Sequence, residues 1–256
     1  HRIANEIILH EGHERWDMER IVREIKKGIV KAVETSKQVP VSIGVDSWGV
    51  DFVLLDGRGK MVDTPVAYRD KRTEGMQEAW RTMMPEMETF RRTGINFNVF
   101  NTLFQLLSMK DSKILRSASR ILFMPCYISY LLSGHDQNEL TISSTSQLLG
   151  VENDQWDEEI LKGLNLDRAL FGKVVQPGTR LGPVTLPEAT GMENIAVCGH
   201  DTACVVSAMP VEEQDHAYIS AGTWCIVGIE SAFPLISEEA FRFGLTNERG
   251  YGNTYR

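Results

Sequence analysis

The chain of 256 residues has only four cysteines, Cys126, Cys198, Cys204 and Cys225, and no two of them form a CxxC pair. That spacing argues against both a zinc-binding motif and a disulfide framework, and leaves buried reduced thiols as the expectation. No apolar run approaches ~20 residues, so no transmembrane helix is expected. The polar start at His1 does not read as a signal peptide. Basic residues do not dominate anywhere: 27 Lys and Arg face 35 Asp and Glu, a formal net charge of -8. A nucleic-acid footprint is therefore not indicated. The GxxxxGK[ST], HExxH and GxSxG patterns are all missing, which removes a P-loop, a zinc-protease helix and one type of serine hydrolase. There is no short internal repeat and no low-complexity segment. What is present is a globular composition, 42% hydrophobic and 24% charged, enough for one large domain or two smaller ones.

Along the chain, strand-like and helix-like segments alternate, which predicts the α/β class. Asp17 can cap a helix over 18 to about 35 with the apolar stripe Ile21, Val22, Ile25, Ile29 and Val33. Two β-rich runs, at 41–45 and 52–55, lie close enough to predict a hairpin or adjacent strands, the second ended by Asp56-Gly57. Val66-Ala67-Tyr68 is a third candidate strand. Helices are expected over about 73–84, 86–92, 101–109 and 127–132, and 182–187 reads as loop with short extended pieces. Ile195-Ala196-Val197-Cys198 reads as a buried strand and 202–209 as a helix closed by Pro210. The runs 217–220 and 225–229 flank a tight turn and predict two paired strands. The chain opens without an initiator Met and ends without a finishing helix, so a fragment is expected.

Three segments can carry chemistry. In Cys198-Gly199-His200-Asp201-Thr202-Ala203 a β run ends, Gly199 would let the backbone turn, and a helix begins. Ligands of open α/β sheets bind beyond the carboxyl ends of strands, where a carboxylate can meet a hydroxyl. Asp201 can equally serve as a helix cap, and the two roles are compatible. His200 taken alone reads as a structural histidine. In Ser220-Ala221-Gly222-Thr223-Trp224 a hydroxyl beside a glycine can approach phosphate oxygens, or simply sit in a hairpin turn. Gly44-Val45-Asp46-Ser47-Trp48-Gly49-Val50-Asp51 mixes carboxylates and an aromatic face, which suits sugar recognition, and also fits a strand with a bulge and a half-buried Trp. The Tyr68-Arg69-Asp70-Lys71-Arg72 cluster reads as solvated surface.

Taken in order, these pieces resemble the FGGY carbohydrate kinases, and within them the L-rhamnulose kinases. The residues carrying the resemblance are Trp16-Asp17, the run from Ile43 to Asp56, Tyr68-Arg69-Asp70, Phe100-Asn101-Thr102-Leu103-Phe104-Gln105-Leu106, Met124-Pro125, Gln147-Leu148, His200-Asp201-Thr202-Ala203, Ser220-Ala221-Gly222-Thr223-Trp224 and Thr246-Asn247-Glu248. The resemblance implies an actin-like, ribonuclease-H-like pair of α/β domains. The sugar-binding domain would span 1–209, and the ATP-binding domain would begin at 210–256. It implies a cytoplasmic enzyme that phosphorylates the 1-hydroxyl of L-rhamnulose with ATP and Mg2+. Another family sugar or polyol, or a non-catalytic sugar-binding protein on the same scaffold, are the alternatives. Carried over residue by residue, the catalytic base is Asp201. The substrate contacts are Gly49, His200, Asp201 and Thr202, and the ATP contact is Thr223. The partners implied are small molecules, with no nucleic acid and no membrane. Two departures stand out. The family's Asp-bearing, Gly/Ser-rich first hairpin does not precede His1, so the chain alone is expected to bind nucleotide poorly. Cys126 also stands where an Asp is usual.

Overall fold

The structure is a computed structural model that describes residues 1–36, 40–211, 216–222 and 224–256. The chain opens with a hairpin, β1 (Ile7–His10) and β2 (His13–Trp16), turned by Glu11-Gly12, both with positive φ. Asp17 then accepts the Arg20 N–H at 2.9 Å and starts α1 (Met18–Ser36). Met18 and Ile29 of α1 are buried, and Ile21, Val22 and Ile25 pack on the core beside them.

Next come β3 (Ser42–Ile43) and β4 (Phe52–Leu55), then α2 (Met76–Arg81), α3 (Glu86–Thr93), α4 (Thr102–Ser108) and α5 (Lys113–Ser117). β5 (Arg120–Phe123) runs directly into α6 (Met124–Ser133), whose Pro125 lies in the first turn, where its missing N–H costs nothing. The chain continues through β6 (Asn138–Glu139), α7 (Leu140–Ser144), α8 (Glu158–Leu164), β7 (Val174–Val175), β8 (Arg180–Pro183), β9 (Glu193–Ile195) and α9 (Asp201–Ser207). It closes with β10 (Ala217–Ala221), β11 (Cys225–Ile229) and α10 (Glu238–Arg242). This is the expected mixture of helices and sheets.

The two β runs near residue 50 are neither a hairpin nor neighbours. β3 pairs parallel with β9, which pairs antiparallel with β8. β4 pairs antiparallel with β5. Each run is satisfied by a distant partner because the chain turns sharply between them, at residues 49–51. All four residues of β4 are buried, as are Ile121, Leu122 and Phe123 of β5. Their continuous apolar runs follow from cover on both faces. Leu103, Phe104 and Leu106 of α4 close the same core, each contributing about 1.5–3 kcal/mol by burial.

Three other expectations need correction. Val66 makes only an isolated bridge to Arg15, not a strand. Residues 196–198 lie past the end of β9, not in a strand. Of the 68–72 cluster, Arg69 and Lys71 are solvated surface as expected, whereas Tyr68, Asp70 and Arg72 are covered. Asp70 is buried and accepts the N–H groups of Glu14 and Arg72, both at 2.9 Å. Arg72 donates to Gln105 at 2.7 Å, and burial, set against the attraction of Asp51 and Asp70, brings its guanidinium down to about 10.

Candidate active site

The parallel pairing of β3 and β9 continues beyond the strands. Ser47 N–H donates to the Gly199 carbonyl at 2.9 Å, and Asp201 N–H donates to the Ser47 carbonyl at 2.8 Å. The two segments therefore reach their carboxyl ends side by side. That brings two of the sequence candidates, 44–51 and 198–203, onto one rim, as expected for a ligand site of a parallel α/β pair. Gly49 faces His200 across it. A Cβ on Gly49 would lie 3.2 Å from Thr145 Oγ1 and 3.3 Å from His200 Nε2.

The turn after Gly49 is strained. Val50 has φ of 66°, a region β-branched residues avoid, and Asp51 N–H bonds back to the Gly49 carbonyl at 2.9 Å. Such a conformation costs about 1–3 kcal/mol and persists only where the surroundings enforce it. Here they do. Thr145 Oγ1 accepts the Val50 N–H at 3.2 Å, and the Val50 carbonyl accepts from the Thr102 hydroxyl at 2.7 Å and Gln105 Nε2 at 3.3 Å. The turn presents Gly49 at the rim and drives Asp51 inward.

Asp51 is fully buried and already occupied. It accepts from Trp16 Nε1 at 2.6 Å, Trp48 Nε1 at 2.9 Å, Gln105 Nε2 at 3.2 Å and the Tyr68 N–H at 3.3 Å. Burial pushes its carboxyl up to about 6, against the pull of those donors. The carboxylate and indole read from the sequence as a sugar-facing pair are thus turned on each other. Trp48 stacks at 4.5 Å on Trp16.

Asp201 is different. It is the first residue of α9, and His200 occupies the cap position without a side-chain cap bond. The helix-cap reading of Asp201 does not describe its geometry. Its Oδ1 accepts from the Thr202 N–H at 2.7 Å and the Thr202 hydroxyl at 3.3 Å. The side chain remains 54% exposed. Thr202 itself is buried, its hydroxyl directed to Asp201. Gly199 has no left-handed φ, so it serves close approach rather than a turn.

His200 is held from behind. Its Nδ1 lies 3.0 Å from Glu248 Oε2, and its Nε2 lies 3.4 Å from Asp201 Oδ1. Arg256 Nη2 donates to the same Glu248 oxygen at 2.7 Å and lies against His200 Nδ1. Burial would push the Glu248 carboxyl up, but His200 and Arg256 outweigh it and bring it down to about 2. The sequence contained Glu248 as part of a motif without assigning it a contact. Arg256 and Thr145 had no local signal at all.

Thr223 lies outside the described residues. The β10–β11 pair itself forms as expected, with Gly222 N–H donating to the Trp224 carbonyl at 2.9 Å. A Cβ on Gly222 would meet nothing closer than 4.0 Å. Trp224 reaches from this turn to Phe100, at 5.4 Å between rings, and to the Tyr68 hydroxyl at 3.5 Å. Among the described residues no group of three or more His, Cys, Asp or Glu could hold a metal ion. No helix among them is long and apolar enough to cross a membrane.

Comparison with known proteins decides the family. The model for the N-terminal domain of the FGGY family of carbohydrate kinases matches residues 1–208. The chain belongs to the FGGY family of carbohydrate kinases. It is 40% identical over 258 aligned residues to a rhamnulokinase of Pectobacterium carotovorum, covering 100% of this chain and 52% of that protein. A Klebsiella pneumoniae rhamnulokinase is 37% identical, again over the whole chain and 53% of the relative. The chain thus spans about half the length of these curated relatives. Among solved structures, a gluconate kinase from Lactobacillus acidophilus superposes with a TM-score of 0.86 at 16% identity, covering 99% of this chain and 52% of that one. A Plasmodium falciparum glycerol kinase with ADP superposes with a TM-score of 0.85 at 17% identity, covering 99% and 54%. These neighbours establish the family's actin-like fold for the chain, with the rim at 49 and 199–202 inside the matched FGGY region.

Proposed function

We propose that the protein transfers the γ-phosphoryl group of ATP to the 1-hydroxyl of L-rhamnulose, with Asp201 as general base. The observation that carries this reading is the half-exposed Asp201 carboxylate at the shared rim of residues 47–49 and 199–202, beside His200 and Gly49. The choice of sugar rests on the relatives named rhamnulokinase, whose similarity runs the length of the chain.

In phosphoryl transfer the protein has little covalent work to do, so positioning and charge stabilisation dominate. A sugar hydroxyl on the rim would donate to the Asp201 carboxylate. As its oxygen bonds to the γ-phosphorus and the bond to the ADP oxygen breaks, the proton passes to Asp201. His200, held by Glu248, would donate to or accept from a neighbouring sugar hydroxyl. Gly49 would keep that wall open, since any side chain there meets His200. Thr202 would fix the Asp201 rotamer through its N–H and hydroxyl. In this reading residues 1–209 hold the sugar and 210–256 begin the nucleotide-binding unit, with Thr223 at the β10–β11 turn contacting ATP. The Mg2+ that accompanies ATP would supply charge neutralisation for the transferred phosphates.

The test uses the full-length enzyme. Asp201→Asn is expected to leave sugar binding intact and lower kcat by a factor on the order of 10²–10⁴. Near-normal turnover would remove Asp201 from the base role. A panel of ketoses and polyols checks the substrate, and preferred turnover of xylulose or glycerol would overturn the choice of L-rhamnulose.

A further inference from the structure

Glu139 is a buried carboxylate that the proposed chemistry does not use. It stands at the cap position of α7, where Oε1 accepts the Thr141 N–H at 2.9 Å and Oε2 accepts the Ile142 N–H at 3.1 Å. A cap needs no more than this, and a short Ser or Asp would supply it. Glu139 goes further. Oε2 also accepts the Thr141 hydroxyl at 2.7 Å and the N–H of Gly199, 60 residues away, at 2.9 Å. Thr141 Oγ1 in turn accepts the His200 N–H at 3.2 Å.

The backbone leading into Asp201 is consequently gripped at three successive amides. Gly199 is held by Glu139, His200 by Thr141, and Asp201 by the Ser47 carbonyl. Residue 199 must be glycine for this grip to exist, because a Cβ there would stand 2.9 Å from Glu139 Oε2. Removing a carboxylate from water is expensive unless its oxygens are filled, and here four donors fill them. A five-residue helix is a small return for that cost, whereas a fixed direction for the Asp201 side chain is not.

We propose that Glu139, acting through Thr141, is the positioning residue that fixes the backbone of Gly199 and His200 and so aims the Asp201 carboxylate. The inference rests on Asp201 being the base, and its test separates the two. In the full-length enzyme, Glu139→Gln replaces one acceptor oxygen by a donor, and Thr141→Val removes the bridging hydroxyl. Each is expected to lower kcat by a factor on the order of 10–10², as displaced catalytic groups do, with the sugar KM changed by no more than about twofold. Thr141→Ser should restore turnover. Unchanged kcat per folded enzyme in both Glu139→Gln and Thr141→Val, with only a lowered melting temperature, would reduce Glu139 to a cap and overturn the inference. If the unsubstituted enzyme phosphorylates no sugar, the base reading fails by itself. Amide hydrogen exchange then decides the positioning role. Gly199 should exchange on the order of tenfold faster in Glu139→Gln and His200 on the order of tenfold faster in Thr141→Val, while Ala203 to Val206 hold. Equal exchange at Gly199 and His200 would overturn it.

Discussion

In the wall formed by residues 47–51, 139–145 and 199–202, Val50, Asp51, Glu139, Thr141 and Thr145 are all buried and hydrogen-bonded to other parts of the chain. In the hairpin β10–β11, Ile219 and Val227 are 71% and 69% exposed, Tyr218 is the buried residue of its strand, and Trp224 at the turn touches Phe100 and the Tyr68 hydroxyl. The first region holds its geometry through polar groups locked in low dielectric, at the expense of desolvation and a strained Val50. The second is held mainly by its own ladder, with Tyr218 as its buried polar side chain. Under the proposed phosphoryl transfer that division would be useful. The sugar and its base would need a fixed attack geometry, whereas a nucleotide side at the hairpin would have to admit and release its ligand.

The contrast predicts that the wall, not the hairpin, dictates the pH dependence of stability. Asp51 titrates at about 6 in the folded protein against 3.8 ordinarily. Between those values the folded state holds the proton and the unfolded state has lost it, so stability falls as pH rises from 3.8 to about 6. The drop is about 3 kcal/mol if nothing else titrates. Glu248 acts oppositely. Its folded value of about 2 lies below 4.5, so its support is complete above pH 4.5 and is lost as pH falls towards 2. Urea unfolding across pH 4–7 should show the Asp51 slope in the natural sequence and its loss in Asp51→Asn. A slope that survives the substitution would place its origin in another buried carboxyl of the wall, Glu139, which burial also pushes up.

A smaller effect comes from a pair of glycines. Gly199→Ala places a methyl group against the Glu139 carboxylate and should destabilise by about 1–3 kcal/mol, as overpacking does. Gly222→Ala, at the hairpin turn, adds a methyl group to open space and should fall within about 0.5 kcal/mol of the parent. Equal unfolding midpoints for the two variants would break the contrast between the regions.

The sequence was most legible where local pattern decides structure. Asp17 as a cap, the β10–β11 pair and the start of α9 all follow from signals within a few residues. The rim at 47–49 and 199–202 was legible as two separate segments, and nothing local joined them, because their pairing spans about 150 residues of chain. Partner choice for β3 and β4 was misread for the same reason: the sharp turn at Val50 is enforced by Thr145, Thr102 and Gln105, far along the chain. The burial of Asp70 and Arg72 in the cluster at 68–72 was not legible because their partners, Glu14, Gln105 and Asp51, lie elsewhere in sequence. Gly199 was correctly singled out for the wrong reason, since the carboxylate it approaches is 60 residues away.

The mildest test concerns Trp224. Of the five tryptophans, Trp16, Trp80 and Trp156 are buried and Trp48 is half-buried against Asp51. Trp224 is 52% exposed. Its contacts to Phe100 and Tyr68 are one ring pair and one long hydrogen bond, so Trp224→Phe should move the unfolding free energy by less than about 1 kcal/mol. The same substitution should remove most of the acrylamide-quenchable fluorescence, since it deletes the tryptophan that solvent reaches best. The two readouts pull apart the explanations. A large loss of stability would mean the hairpin is packed into the wall as firmly as the wall is packed into the core. Undiminished quenching would place the accessible indole at Trp48 instead, and would mean that the Asp51 carboxylate and its two indole donors are more open to water than their burial in the wall implies.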